Sequence, residues 1–84
     1  MSQPTIEVSI ESADEVYFSG LVTSLSSMNE KGEFDILPMH ENFISLINTS
    51  IKYFPANSQT PKLVEITNGI LRVRENKVEI FLGI

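Results

Sequence analysis

The chain has no cysteine, one histidine and four glycines, none adjacent to another. Without cysteine there are no disulfide staples, no thiol nucleophile and no thiolate metal site, which fits a reduced compartment. Isolated glycines (Gly20, Gly32, Gly69, Gly83) build no phosphate-cradling loop, so no nucleotide cofactor is expected. A zinc site takes about four side-chain ligands, or three when catalytic. His40, Glu41 and Asp35 offer three at best, at no known ligand spacing, and the plain reading of His40 is a hydrogen-bonding loop residue. The acidic stretch Glu30 to Asp35 lacks the ordered oxygen ligands of a calcium loop and reads as a solvated turn. Neither metal nor catalysis is expected, because serines occur without the strand-turn-helix setting of a nucleophile elbow.

Long apolar runs are also missing. Nothing approaches the roughly 18–20 residues that cross a bilayer. The start, MSQPTIEVSI, has no basic segment leading into an apolar one, so a soluble chain without a signal peptide is expected. Clustered positive charge is scarce as well: the net charge is −5, from 11 acids and 6 bases. Residues 1–41 hold eight of the acids and only Lys31, leaving −7 there, while residues 42–84 balance at +2. Binding to a nucleic-acid backbone needs grouped lysines and arginines that displace counterions. Arg72, Arg74 and Lys77 are grouped but lie beside Glu75 and Glu79, so nucleic acid and anionic lipid are both disfavoured as partners.

What the sequence does have is period-two alternation. In Thr5-Ile6-Glu7-Val8-Ser9-Ile10 every second residue is apolar, the pattern of a strand with one buried face. Glu11 to Glu15 reads as a turn, and Val16-Tyr17-Phe18 as renewed extended chain. Gly20 marks a bulge or a close backbone approach. Leu21 to Met28 favours a strand, although its alternation is imperfect. Asn42 to Ile47 has apolar spacings that a helix would also accept, but β-branched Ile44, Ile47, Thr49 and Ile51 favour a strand. Pro55 to Pro61 is a loop. Lys62 to Ile66 is a strand ending at the turn signal Thr67-Asn68-Gly69. Leu71 and Val73 face Val78, Ile80 and Leu82 across the turn Arg74-Glu75-Asn76-Lys77, where Asn76 suits the positive φ of a tight hairpin. Short strands without a long helix predict one all-β antiparallel domain spanning residues 1–84, a sandwich or barrel.

The stretch Gly32-Glu33-Phe34-Asp35-Ile36-Leu37-Pro38-Met39-His40-Glu41-Asn42 resembles the G-E-F-G-I-L-P-G-H-A-P pattern of the epsilon subunits of F-type ATP synthases. Phe18-Ser19-Gly20-Leu21-Val22, with Ser24, is similar to the family's F-x-G-x-V. Thr67-Asn68-Gly69-Ile70-Leu71-Arg72-Val73 resembles its S-G-G-x-x-x-V, and Asn76-Lys77-Val78 its last hairpin. The blocks align in order with essentially no insertions. Asp35 and Met39 stand where the family usually has glycine, Glu41-Asn42 replaces Ala-Pro, and Asn68 replaces the first glycine of a pair. Family members commonly continue into two C-terminal helices, so this resemblance is to the N-terminal domain.

The resemblance implies a flattened two-sheet sandwich of about ten short strands, consistent with aligned sheet packing. It implies a non-catalytic rotor subunit of the central stalk, without cofactor, that fastens the gamma subunit to the c-ring and couples ion-driven rotation to ATP synthesis. It would act as one copy within a larger complex, bound peripherally at the cytoplasmic face of a bacterial plasma membrane, with no lipid insertion. By position, Glu30, Lys31, Gly32 and Glu33 match the loop meeting the c-ring, and His40, Glu41, Asn42 and Ser45 match the region near gamma. An acidic turn also suits the polar, often basic loops of a ring. The alternatives are an exposed carboxylate at Glu33 and, for the chain, a free-standing β-sandwich adaptor for another protein.

Overall fold

The computed structural model describes residues 3–83. Among them the chain forms six strands: β1 (Ile6–Glu11), β2 (Val16–Asn29), β3 (Gly32–Ile36), β4 (Phe43–Pro55), β5 (Lys62–Arg74) and β6 (Lys77–Leu82). The all-β, single-domain sandwich class expected from the alternation is what the structure shows. The strand count differs from the expected ten or so, because β2, β4 and β5 each run for 13 or 14 residues and bend instead of stopping.

Strand order is β1-β6-β5-β4-β2-β3, and β1 also pairs with β2. The sheet therefore closes on itself, and β3 joins the edge of β2 beyond the residues that β1 covers. Closure satisfies backbone groups that an open edge would leave exposed. The closed sheet is pressed flat, with extents of 39 × 25 × 20 Å. Pairing is antiparallel except between β1 and β6, which run parallel from Glu7–Lys77 to Glu11–Phe81. That pairing departs from the uniformly antiparallel expectation. It arises because the strand following the last hairpin must return beside β1 to complete the ring.

The alternation seen in the sequence fills the interior. Ile6, Val8 and Ile10 from β1 meet Val22, Leu25, Ile36, Ile47, Ile51, Leu71, Val73, Val78 and Ile80, all fully or almost fully buried. Tyr53 closes one end against Phe18, with ring centroids 4.5 Å apart. Among the described residues one polar side chain enters this interior: the Ser27 hydroxyl donates to the Ser50 carbonyl at 2.8 Å, which satisfies it.

Bulges explain where the alternation falters. Pairing shifts between Val22 and Ser24, so Thr23 is extra on β2 and the buried residues jump from Val22 to Leu25. Opposite Ser27 and Met28, Thr49 and Ser50 are extra on β4, and Thr49 takes a φ of 75°, a strained value for a β-branched residue. Thr67-Asn68-Gly69, expected as a turn, is a bulge inside continuous β5, where pairing to β4 shifts between Ile47 and Thr49. The residues that signal turns also suit bulges, and this one lets β5 change which face it buries. Gly69 is required by a close approach, since a Cβ there would lie 2.8 Å from the Phe81 carbonyl oxygen. The last turn is as expected at Asn76 (φ 60°) and extends to Glu75 (φ 53°), the paired positive values of a type I′ hairpin.

Candidate functional site

Of the acidic stretch expected to be a turn, only Glu30 and Lys31 form the tight connection between β2 and β3 at one end of the barrel. Gly32 and Glu33 already pair with Asn29 and Met28 as the start of β3, because β2 reaches Asn29 and the hairpin leaves two residues for its turn. The turn is held by Asn29, whose Oδ1 accepts the Lys31 N–H at 2.8 Å, and by Gly32 at φ 118°, a region closed to other residues. Glu30, Lys31 and Glu33 are exposed. Asp35, one pleat further, is drawn aside by the Ser26 hydroxyl at 2.6 Å, whereas Glu33 has no side-chain hydrogen bond among the described residues. The turn presents two free carboxylates and one ammonium to solvent.

His40, Glu41 and Asn42 lie in the connection between β3 and β4. Leu37-Pro38-Met39-His40 closes a β-turn through a 3.1 Å bond from the His40 N–H to the Leu37 carbonyl. Met39, where the resembling pattern has glycine, has a φ of 67°, in the left-handed region that favours glycine. With Pro38 before it, this is the pattern of a type II turn. Asp35 lies in regular β3 pairing opposite Ser26 and takes no such conformation. His40 packs edge-on against Phe43 at 5.9 Å, Phe43 packs against Phe34 at 5.4 Å, and His40 Nδ1 lies 2.7 Å from the Glu41 carbonyl. The histidine is fixed as a loop residue, with an aromatic neighbour and a backbone acceptor.

Ser45 separates from this group. Its hydroxyl accepts from Asn29 Nδ2 at 3.1 Å, which ties the start of β4 to the Glu30–Gly32 turn. An open depression of about 500 Å³ lies there, lined by Asn29, Glu30, Lys31, Phe43, Ser45 and Leu46 among others. The sequence assigned Ser45 to one surface and the acidic turn to another. The structure makes them neighbours, while His40 to Asn42 sit toward the β5–β6 hairpin.

One feature of this region went unread in the sequence. Ile44 and Leu46 point outward and are 69% and 67% exposed. Cross-strand pairing sets Leu46 beside Ile70 and Ile70 beside Phe81, an apolar row across three strands. The next row is Ile44, Arg72 and Glu79. Arg72 and Glu79 form an ion pair, and the Arg72 hydrogen bond, with its charge and those of Lys77 and Arg74, holds the Glu79 carboxyl below its ordinary range. Asn42 to Ile47 carries apolar residues at both even and odd positions, so a strand there could not bury all of them. That was the available signal. Single exposed apolar residues are ordinary, whereas a contiguous row points to a contact surface.

Among the described residues no group of three histidine, aspartate or glutamate side chains is placed to hold a metal. The fold and this surface define a small closed β-sandwich with a polar acidic turn beside an apolar sheet face, the build of a protein-contact domain. The family described as "ATP synthase, Delta/Epsilon chain, beta-sandwich domain" matches residues 5–82. The chain belongs to that family. It is 32% identical over 80 residues to the ATP synthase epsilon chain of Pelotomaculum thermopropionicum, covering 95% of this chain and 59% of that one. It thus spans less than two thirds of this relative's length.

The fold is shared with a chain of the Euglena gracilis mitochondrial ATP synthase, solved with OSCP, F1 and the c-ring. The TM-score is 0.84 at 16% identity, covering 98% of this chain and 52% of the other. It is shared too with a chain of the Tetrahymena thermophila mitochondrial ATP synthase central stalk and c-ring. There the TM-score is 0.79 at 15% identity, covering 98% and 66%.

Proposed function

We propose that this domain is a non-catalytic rotor element of the F-type ATP synthase central stalk, fastening the gamma subunit to the c-ring so that ion-driven rotation reaches the catalytic subunits. Glu30, Lys31, Gly32 and Glu33 rest on the polar loops of the ring. His40, Glu41, Asn42 and Ser45, with the neighbouring apolar residues Ile44 and Leu46, face gamma. The observation that carries this reading is the junction of two unlike surfaces on one barrel: Asn29 and Ser45 tie the acidic turn to β4, the strand whose outward side carries Ile44 and Leu46. A coupling element needs such an arrangement. The apolar face supplies tight attachment by removing surface from water, and the charged turn sets register on a second partner. In this role the domain works as one copy in the complex, peripheral to the membrane on the cytoplasmic side of a bacterial cell.

Because the chain has no cysteine, introduced cysteines report on a clean background. Glu33→Cys is expected to cross-link, in the assembled complex only, to a cysteine placed in the c-ring polar loop, and Ser45→Cys is expected to cross-link to gamma. Glu33→Lys is expected to weaken coupling of ion flow to ATP synthesis while hydrolysis by the detached catalytic head is unchanged. If position 33 links to nothing in the ring and Glu33→Lys leaves coupling intact, the turn is a solvated loop and the assignment is wrong.

A further inference from the structure

Asn76 does more than shape its own turn. Its Oδ1 accepts the Met39 N–H at 2.8 Å, and its Nδ2 donates to the Thr5 carbonyl at 2.9 Å. Its own carbonyl accepts the Glu7 N–H at 3.3 Å. One half-buried residue thereby joins the β5–β6 hairpin, the entry to β1 and the turn after β3, segments 37 and 71 residues away in sequence. The Met39 bond is the informative one. Met39 sits at a φ of 67° where a side chain is disfavoured, and the residue is 79% exposed. Nothing in its own packing holds it there. Strained backbone persists only where the surroundings over-determine it, and here the Asn76 amide adds an outside determinant to Pro38 and the turn's own His40–Leu37 hydrogen bond.

We infer that Asn76 is a positioning residue that clamps the Leu37–His40 turn in its strained form, and so presents Met39, His40 and Glu41 as a preset contact loop to a protein partner. For the identity of that partner, gamma, the inference rests on the rotor reading; its geometric part does not. A preset loop binds more tightly because ordering it costs nothing at the moment of contact.

The test uses the full chain with two substitutions, Asn76→Gly and Met39→Gly, singly and together. Glycine at 76 keeps the left-handed backbone of the hairpin and removes both amide bonds. Asn76→Gly is expected to speed hydrogen exchange of the Met39 and His40 amides about tenfold and to weaken capture by isolated gamma about fivefold. Glycine at 39 adopts the turn without strain, so in the Met39→Gly background the same Asn76→Gly change should speed His40 exchange less than about threefold. A residue that only stabilised the hairpin would show the same effect in both backgrounds. Equal effects in both backgrounds, or unchanged exchange in Asn76→Gly, overturn the clamp. Failure of the unsubstituted chain to bind gamma overturns the rotor reading, and the exchange ratios still decide the clamp.

Discussion

Val78 and Lys77 are adjacent on β6 and point to opposite faces, so exchanging each for aspartate reads the strand register directly. Val78 is fully buried between Val8 on β1 and Val73 on β5. Its burial contributes roughly 1.5–3 kcal/mol. An aspartate in its place forfeits that and sets a carboxyl among hydrocarbon, where it stays charged at a cost of several kcal/mol or takes up a proton through a raised pKa. The combined loss of about 4 kcal/mol or more is comparable to the stability of a small domain, which lies toward the lower end of 5–15 kcal/mol. Val78→Asp is expected to be unfolded at neutral pH. Val78→Ala, which loses methyl groups and leaves a small cavity, should cost about 2 kcal/mol and stay folded.

Lys77 is exposed, and its ammonium lies 3.8 Å from Glu7 across the β1–β6 pairing. Such surface pairs contribute about 0–1 kcal/mol, so Lys77→Asp should lower the melting temperature by no more than about 8 °C and leave the domain folded. Thermal melts followed by circular dichroism check the ranking. A folded Val78→Asp beside an unfolded Lys77→Asp would mean the register is displaced by one residue, inverting the inward and outward faces.

Acid should weaken the fold partly through Glu79. Its folded-state pKa is depressed by Arg72 below the 4.5 of an unperturbed glutamate. The contribution is therefore present above that value and lost as pH falls through the folded pKa. Arg72→Gln should make the fall in melting temperature below about pH 5 shallower; an unchanged acid limb would show the pair contributes nothing. Gly69→Ala should destabilise by about 1–3 kcal/mol in denaturant titrations, because the new methyl meets the Phe81 carbonyl oxygen, which cannot swing aside as the Leu82 side chain beside it can. This domain should bind ATP no more tightly than about 1 mM by calorimetry, since its four separate glycines form no phosphate cradle; micromolar affinity would contradict that.

The last hairpin was legible because Leu71 and Val73 before the turn, and Val78 and Ile80 after it, alternate with polar residues, and the turn carries an asparagine suited to positive φ. The acidic turn was legible for a similar reason, as a charged stretch with one glycine. The middle of the chain was not. Each bulge, at Thr23, at Thr49 and Ser50, and at Thr67 and Asn68, lets a strand change its pairing or its buried face mid-course. Local patterning cannot then tell a bent strand from two strands and a turn. Ring closure was out of reach too, since parallel pairing of β1 with β6 depends on partners about seventy residues apart. The neighbourhood of Ser45 and the Glu30 turn follows from that long-range register, as does the outward apolar row of Leu46, Ile70 and Phe81. The role of Asn76 toward Met39 is of the same kind: the sequence marks it as a turn residue, and only the fold brings it to the other loop.

Membership of a rotor is tested by co-purification from solubilised membranes. An affinity-tagged copy of the chain, expressed in the cells it comes from, should elute with gamma and the c-ring, and loss of gamma should release it from the ring as well. Elution alone, or with a partner outside the ATP synthase while the assembled enzyme passes through without it, would contradict the rotor role and favour a free-standing adaptor.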